Sequence, residues 1–210
     1  MRELPLAPCC HTVQYRVVKR AIDIACSGAA LMALLPLLCL IALLVKQSSP
    51  GPCFYRWEVI GRSGCRFSGY KFRSMVAEAD VLKRDLWPHN ERNGPTFKMK
   101  DDPRVTRLGS VLRKFSLDEL PQLWSVLKGD MSLVGPRPVG HSEWAQFTEE
   151  QRRKLTVTPG MICLGHVRGN PKEFEQWIDL DLEYIDTWSL WRDVRLVLHS
   201  GWYVASGSNY

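Results

Sequence analysis

The chain lacks the signatures of several large function classes. It holds no CxxC pair, no Walker-type or GxGxxG phosphate loop, no internal repeat and no low-complexity segment. Its five histidines stand apart, so neither a metal-ligand spacing nor a Ser/His/Asp arrangement emerges. Basic residues are scattered without a recognition-helix pattern, which makes nucleic acid a poor fit as a partner. The seven cysteines are odd in number and irregularly spaced, and read as reduced thiols of a reducing compartment. At 210 residues, 45% hydrophobic and 24% charged, the chain is not disordered, and its length suits one domain or one domain with an appendage.

Charge is missing altogether from Ala25 to Val45, a run of 21 residues. A membrane-spanning helix needs about 20 apolar residues, so this segment enters a bilayer. It begins late and no small-x-small site precedes Lys46, so it is a poor match to a signal peptide. Cations flank both ends: Arg16, Lys19 and Arg20 before it, Lys46, Arg56, Arg62 and Arg66 after it. A spanning helix is expected to show charge asymmetry instead. Pro36 sits mid-run, where it removes a helix hydrogen bond and favours a kink. Two readings stay open: a helix–break–helix that dips into one leaflet and returns, and an ordinary spanning helix with a tolerated proline. Eight tryptophans point to a water–lipid interface, and the net charge of +6 points to an anionic partner.

Ser48–Ser49–Pro50–Gly51–Pro52 breaks the chain after this run. Residues 54–60 and 66–75 are aromatic and β-branched with turn chemistry between them, which predicts a β-hairpin. Residues 76–87, 110–115 and 116–127 read as helices, and 88–102 as a polar loop. Residues 174–202 read as helical and aromatic. Phe174, Trp177, Ile178, Trp188, Trp191 and Trp202 suit either headgroup-level helices or a packed core.

Three groups can carry chemistry. Ser116–Leu117–Asp118–Glu119 matches a capping box, with Ser116 as N-cap and Glu119 three residues on. The same geometry would keep an aspartate ionised, to hold Mg²⁺ or attack phosphorus. Lys71 and Arg73, two apart in a strand, would share one face and suit a diphosphate, or form a solvated strand face. Pro136–Arg137–Pro138 holds one guanidinium rigidly, either as a phosphate fork or as a stiff loop. Asp130 reads as a turn residue or a second acidic ligand. Together these suggest phosphoryl chemistry between a soluble anionic donor and a lipid acceptor.

Larger motifs surround these residues. Lys19–Arg20–x–x–Asp23, Ser49–Pro50–Gly51–Pro52, 70–75 (YKFRSM), 102–106 (DPRVT), 117–124 (LDELPQLW) and 128–138 (KGDMSLVGPRP) resemble the bacterial sugar transferases, the monotopic phosphoglycosyl transferases. The resemblance runs from about Arg16 to about Trp202 and corresponds to the catalytic domain alone. It implies transfer of a sugar 1-phosphate from a UDP-sugar to polyprenyl phosphate, release of UMP, and initiation of a surface glycan of exopolysaccharide or O-antigen type. It further implies a bacterial inner-membrane enzyme at the cytoplasmic face, anchored by a re-entrant helix broken at Pro36. By resemblance, Asp118 is the nucleophile that forms a phosphosugar–aspartyl intermediate, Asp118 and Glu119 hold Mg²⁺ in part, and Glu119 is a second catalytic residue, as ligand, orienter or proton handler. Arg137 grips phosphate, with Lys71, Arg73 and Arg113 as further phosphate ligands.

The implied organisation is α+β and mainly helical. It comprises a tail (1–15), a re-entrant membrane helix (16–47) and a catalytic domain (48–210) with a β-hairpin and amphipathic interfacial helices around the active site. Membrane lipids are expected as partners, nucleic acid is not, and the aromatic C-terminal helices offer a homodimer surface. Two departures stand out. Leu35 precedes Pro36 where relatives commonly have serine. In residues 158–170, Ile162, Gly165, His166 and Asn170 occupy the usual threonine, tryptophan, glutamine and arginine positions. That altered stretch leaves open a rival reading as a catalytically impaired scaffold or regulator.

Overall fold

In the computed structural model the described residues are 13–205. In chain order they form α1 (Val13–Ser48), β1 (Phe54–Ile60), β2 (Arg66–Phe72), α2 (Ala79–Leu86), α3 (Arg107–Lys114), α4 (Gln122–Lys128), β3 (Ser132–Val134), β4 (Val139–Gly140), α5 (His141–Trp144), β5 (Gly160–Ile162), α6 (Leu164–Val167), α7 (Phe174–Asp186) and α8 (Leu190–Ala205). Short 3₁₀ turns lie at Trp87–His89, Leu117–Glu119 and Gln151–Thr156. Most of the expected tail lies outside the described residues, and its last three positions, 13–15, already belong to α1.

α1 is 36 residues long, and it is long and apolar enough to cross a membrane. Helical structure continues through Pro36 with no interruption of the assignment. Proline removes only its own N–H from the ladder, and the remaining turns carry the helix past it. One stripe of α1 faces the body: Asp23, Ser27, Ala30, Leu34, Leu38, Ile41 and Val45 are buried or half-buried at helical spacing. The opposite side is apolar and uncovered, with Met32 75% and Leu35 57% exposed.

Both ends of α1 are fastened to the same body. Near its start, Lys19 pairs with Asp193 of α8 at 2.6 Å. The Arg20 guanidinium donates to the carbonyls of Val126 and Leu127 at 2.6 and 2.7 Å, closing the end of α4. The Asp23 carboxylate accepts from the Leu133 amide at 3.0 Å, on β3. At the far end, Ile41 and Val45 join Phe72 and Leu112 in one apolar cluster. Arg73 donates to the carbonyls of Ser49 and Pro50 at 2.6 and 2.7 Å.

β1 pairs antiparallel with β2 over its whole length, from Phe54 opposite Phe72 to Ile60 opposite Arg66, and β4 adds to the other edge of β1. β3 and β5 form a separate parallel pair. Ile60, Val139, Phe147, Leu155, Phe174 and Ile178 pack α7 on the first sheet. Val134, Leu164, Tyr184, Ile185 and Leu196 join the parallel pair to α7 and α8. The aromatic C-terminal third is therefore only partly core. Phe174, Trp177 and Ile178 are buried, whereas Trp191 and Trp202 are 63% and 78% exposed.

The helix expected over 110–115 starts earlier, because the Thr106 hydroxyl accepts from the Gly109 amide at 2.9 Å and caps α3. The helix expected over 116–127 does not form as one piece. Pro121 cannot donate to a continuing ladder, so residues 117–119 make a single 3₁₀ turn and α4 begins after the proline. Ser116 adopts a left-handed conformation (φ 50°) and its side chain makes no capping bond, so there is no capping box. Likewise β2 stops at Phe72 rather than reaching Met75.

Candidate active site

The 3₁₀ turn at Leu117–Glu119 is packed against α3 and β2, and it delivers Asp118 and Glu119 into a common polar centre. Asp118 is 7% exposed. Burial and the neighbouring Glu119 charge push its carboxyl up to about 6, against the lowering pull of Lys71 and Arg113. Burial also works against ionised Glu119, but Lys71, His166 and hydrogen bonds from Lys71 and Gln122 outweigh it and hold that carboxyl below the usual range. Lys71 forms an ion pair with Glu119 and lies 5.3 Å from the Trp57 ring centroid. Burial opposes the Lys71 charge, but the two carboxylates raise its pKa above the ordinary lysine value.

Arg113 reaches the same centre from α3. Its Nε donates to the Ser74 hydroxyl at 2.9 Å while its charge acts on Asp118. Arg137 follows β3. Its backbone N–H donates to Asp181 Oδ1 at 2.9 Å, and its guanidinium pairs with Glu143 at 3.0 Å and lies 5.4 Å from the Trp177 ring. Asp181 is itself fully buried and paired with Lys154 at 2.6 Å. Arg137 is therefore fixed through both its backbone and its side chain.

Lys71 and Arg73 do not form the expected pair of cations on one face. The strand ends at Phe72, so the alternation stops. Arg73 turns to the end of α1, where backbone carbonyls accept from its guanidinium. Arg73 is a fastener of α1 in this structure, not a member of the polar centre. Asp130 pairs with Lys128 at 2.5 Å, as a turn residue would. Pro36 lies within α1, on its exposed side.

Three residues of the centre escaped the sequence reading. His166 on α6 sits edge-on to Trp177, with centroids 5.4 Å apart. Burial, with Arg137, Lys71 and Arg92 nearby, holds its imidazole down at about 4 despite Glu119, so it is neutral at pH 7. Trp177 on α7 is 4% exposed and donates its indole N–H to the Pro171 carbonyl at 2.7 Å. Gly165 makes room for it: a Cβ there would lie 2.4 Å from the indole. Arg92 lies over the same ring at 5.2 Å. The only advance signal was the departure of residues 165 and 166 from the family pattern.

Among the described residues no group of three or more His, Cys, Asp or Glu gathers as a metal cage. Mg²⁺ is commonly held by one or two carboxylates, with phosphate oxygens and water completing its shell. The repulsion between Asp118 and Glu119 is a field that a divalent cation relieves. The pair therefore fits such an ion.

An acidic pair, with Asp118 buried and Glu119 half-buried, is grouped with lysine and arginine on a body fastened along a long apolar helix. The family model described as bacterial sugar transferase matches residues 14–207. The chain belongs to the bacterial sugar transferase family. It is 41% identical over 192 residues to the galactosyl transferase CpsE of Streptococcus agalactiae serotype III (strain NEM316), covering 90% of this chain and 42% of that protein. It is 39% identical over 186 residues to the exopolysaccharide production protein ExoY of Sinorhizobium fredii (strain NBRC 101917 / NGR234), covering 86% of this chain and 82% of that one. It is 40% identical over 192 residues to the UDP-glucose:undecaprenyl-phosphate glucose-1-phosphate transferase of Escherichia coli (strain K12), covering 87% and 39%. The chain thus spans about two fifths of the length of CpsE and of the Escherichia coli relative.

Proposed function

We propose that this protein is a phosphoglycosyl transferase that moves a sugar 1-phosphate from a UDP-sugar to polyprenyl phosphate and so begins a surface glycan. The observation that carries the reading is Asp118, a buried carboxylate grouped with Glu119, Lys71, Arg113 and Arg137. The names of the relatives support the same donor and acceptor classes.

In the first half-reaction an Asp118 carboxylate oxygen forms a bond to the β-phosphorus of the donor. The β–α phosphoanhydride bond breaks, and its electron pair leaves on the UMP oxygen. In the second, an oxygen of polyprenyl phosphate attacks the same phosphorus and expels the Asp118 carboxylate, leaving the sugar on a lipid diphosphate. Donor and acceptor are both anionic, and a covalent intermediate spares the site from binding them together. Lys71, Arg113 and Arg137 offset the charge that gathers on the phosphates. Glu119 keeps Lys71 charged and oriented. Asp118 and Glu119 would hold Mg²⁺, which neutralises diphosphate charge when bound.

The double fastening of α1 supports a re-entrant seat at the cytoplasmic face of the inner membrane, with the flanking cations on one side. The exposed Trp191 and Trp202 of α8 support a second contact at headgroup level. Cysteines placed singly at Arg16 and Lys46 are expected to react with an impermeant thiol reagent from the same side in sealed inverted vesicles, scored against a background without other accessible cysteines. Reaction from opposite sides would identify a spanning helix.

The rival reading, a scaffold that binds nucleotide-sugar without transfer, draws on Gly165 and His166 at the edge of the site. UMP release from a panel of UDP-sugars, in detergent with Mg²⁺ and polyprenyl phosphate, separates the two. Release from one donor supports transfer and names the sugar. Donor binding with no release from any of them supports the scaffold.

A further inference from the structure

The segment between α2 and α3 carries an arginine that this mechanism leaves unused. Residues 90–100 are held as a closed unit. The Asn90 side chain donates to the carbonyls of Arg92 and Thr96 at 2.9 and 3.0 Å. It accepts from the amides of Arg92 and Lys98 at 3.3 and 2.8 Å. The segment is also tied to the start of α7. Asn93 donates to both carboxylate oxygens of Glu173 at 2.8 and 2.9 Å. Gly94, at φ +89°, lies so close to Phe174 that a Cβ would come within 2.8 Å of it.

Arg92 is therefore presented from a fixed backbone. Its guanidinium stacks on Trp177, which orients it without consuming its N–H donors. Among the described residues no side chain or carbonyl accepts from that guanidinium, and no carboxylate pairs with it. Arg137 stacks on the same indole but has Glu143 as a partner. The two like charges stand close, and Glu143, which pairs directly with Arg137 alone, offsets the repulsion at Arg92 only in part. Burial and the Arg137 charge lower the Arg92 pKa against the raising pull of Glu143, and burial and Arg92 lower that of Lys98 in turn. Such a cluster suits a multiply charged anion that offers oxygens to both planar forks.

We infer that Arg92 and Arg137, both stacked on Trp177, form a two-guanidinium clamp on the diphosphate of the nucleotide-sugar donor, with Arg92 holding the phosphate that leaves on the nucleoside. The inference rests on the transferase reading. The donor is favoured over the lipid phosphate by direction of approach. α1 packs chiefly on α4, β3, α3 and β2, so a lipid phosphate arrives on that side. Trp177 belongs to α7, which packs on α6 and on the turn at Gln151–Thr156.

The test uses the full chain in detergent, with UMP as the binding probe and the UDP-sugar panel for kinetics. Arg92→Met is expected to weaken UMP binding and raise the donor KM by about tenfold or more. The acceptor KM and the rate at which preformed enzyme–phosphosugar adduct transfers to acceptor stay unchanged. Arg92→Lys recovers part of the loss, since it keeps the charge without the fork, and thermal melts confirm that both variants are folded. Unchanged UMP affinity and donor KM in Arg92→Met overturn the clamp, as does a rise confined to the acceptor KM. If the wild type turns over no donor, yet binds UMP in a way that Arg92→Met abolishes, the clamp stands and the transferase reading falls.

Discussion

Asp118→Asn is expected to remove UMP release by at least about three orders of magnitude and, in the same protein, to raise stability at neutral pH. Both effects come from one carboxylate. The amide cannot supply the oxygen nucleophile, so neither the covalent adduct nor UMP forms. The stability gain follows from the carboxyl being pushed up to about 6 by burial and by Glu119. A carboxyl whose folded pKa lies above its unfolded value binds its proton more tightly in the fold. The associated stability is complete below about pH 4 and is lost as pH rises through 6. The loss amounts to about 3 kcal/mol for Asp118, which is 7% exposed.

Asparagine removes that titration. Melts of wild type and Asp118→Asn without divalent cation are expected to separate as pH rises from 4 to 7, with the variant the more stable at the upper end. A variant that stayed active, or a wild type whose melting was flat across this range, would remove Asp118 from the role of buried nucleophile.

The second large effect lies behind the site. Lys154→Met is expected to destabilise the protein by about 3–5 kcal/mol, because it leaves the carboxylate of Asp181 buried without its cation. Lys154 and Asp181 are 3% and 0% exposed and meet at 2.6 Å. The other Asp181 oxygen accepts from the Arg137 amide at 2.9 Å, so the pair also anchors the backbone that carries Arg137. Replacing both partners with apolar residues of similar volume, Lys154→Met with Asp181→Leu, is expected to restore much of the melting temperature but not activity. The core is then satisfied while Arg137 loses its backbone anchor. Denaturant titration and UMP release, measured on the single and double variants, distinguish these outcomes.

The sequence was most informative where chemistry is local. The uncharged run, the hairpin strands and the Asp118–Glu119 dipeptide each announce themselves within a few neighbours. Arg137 was legible from its two flanking prolines and Arg113 through the resemblance; the structure sets Arg113 beside Asp118, and Arg137 near Lys71 and His166. Errors arose where a distant element decides. The capping box at Ser116 was plausible until Pro121 is allowed to end the ladder. Arg73 looked like a partner of Lys71, because nothing nearby reveals that the carbonyls at Ser49 and Pro50 need donors. His166, Trp177 and Arg92 are far apart in sequence and meet only through the packing of α6, α7 and the 90–100 segment. No spacing rule could have joined them. The motif Lys19–Arg20–x–x–Asp23 was legible as a pattern, but its physical purpose, fastening α1 to α8, α4 and β3, appears only in three dimensions.

Gly165 and Trp177 place a constraint on how this site can be re-engineered. A Cβ at position 165 would lie 2.4 Å from the Trp177 ring, so the space on that side of His166 admits one indole, and α7 supplies it. A large side chain at 165 is expected to overpack the site while Trp177 stays, and a small one at 177 to leave a void while Gly165 stays, each disfavoured by a few kcal/mol. Substitutions at the two positions are therefore coupled, and the effect of either depends on which residue occupies the other.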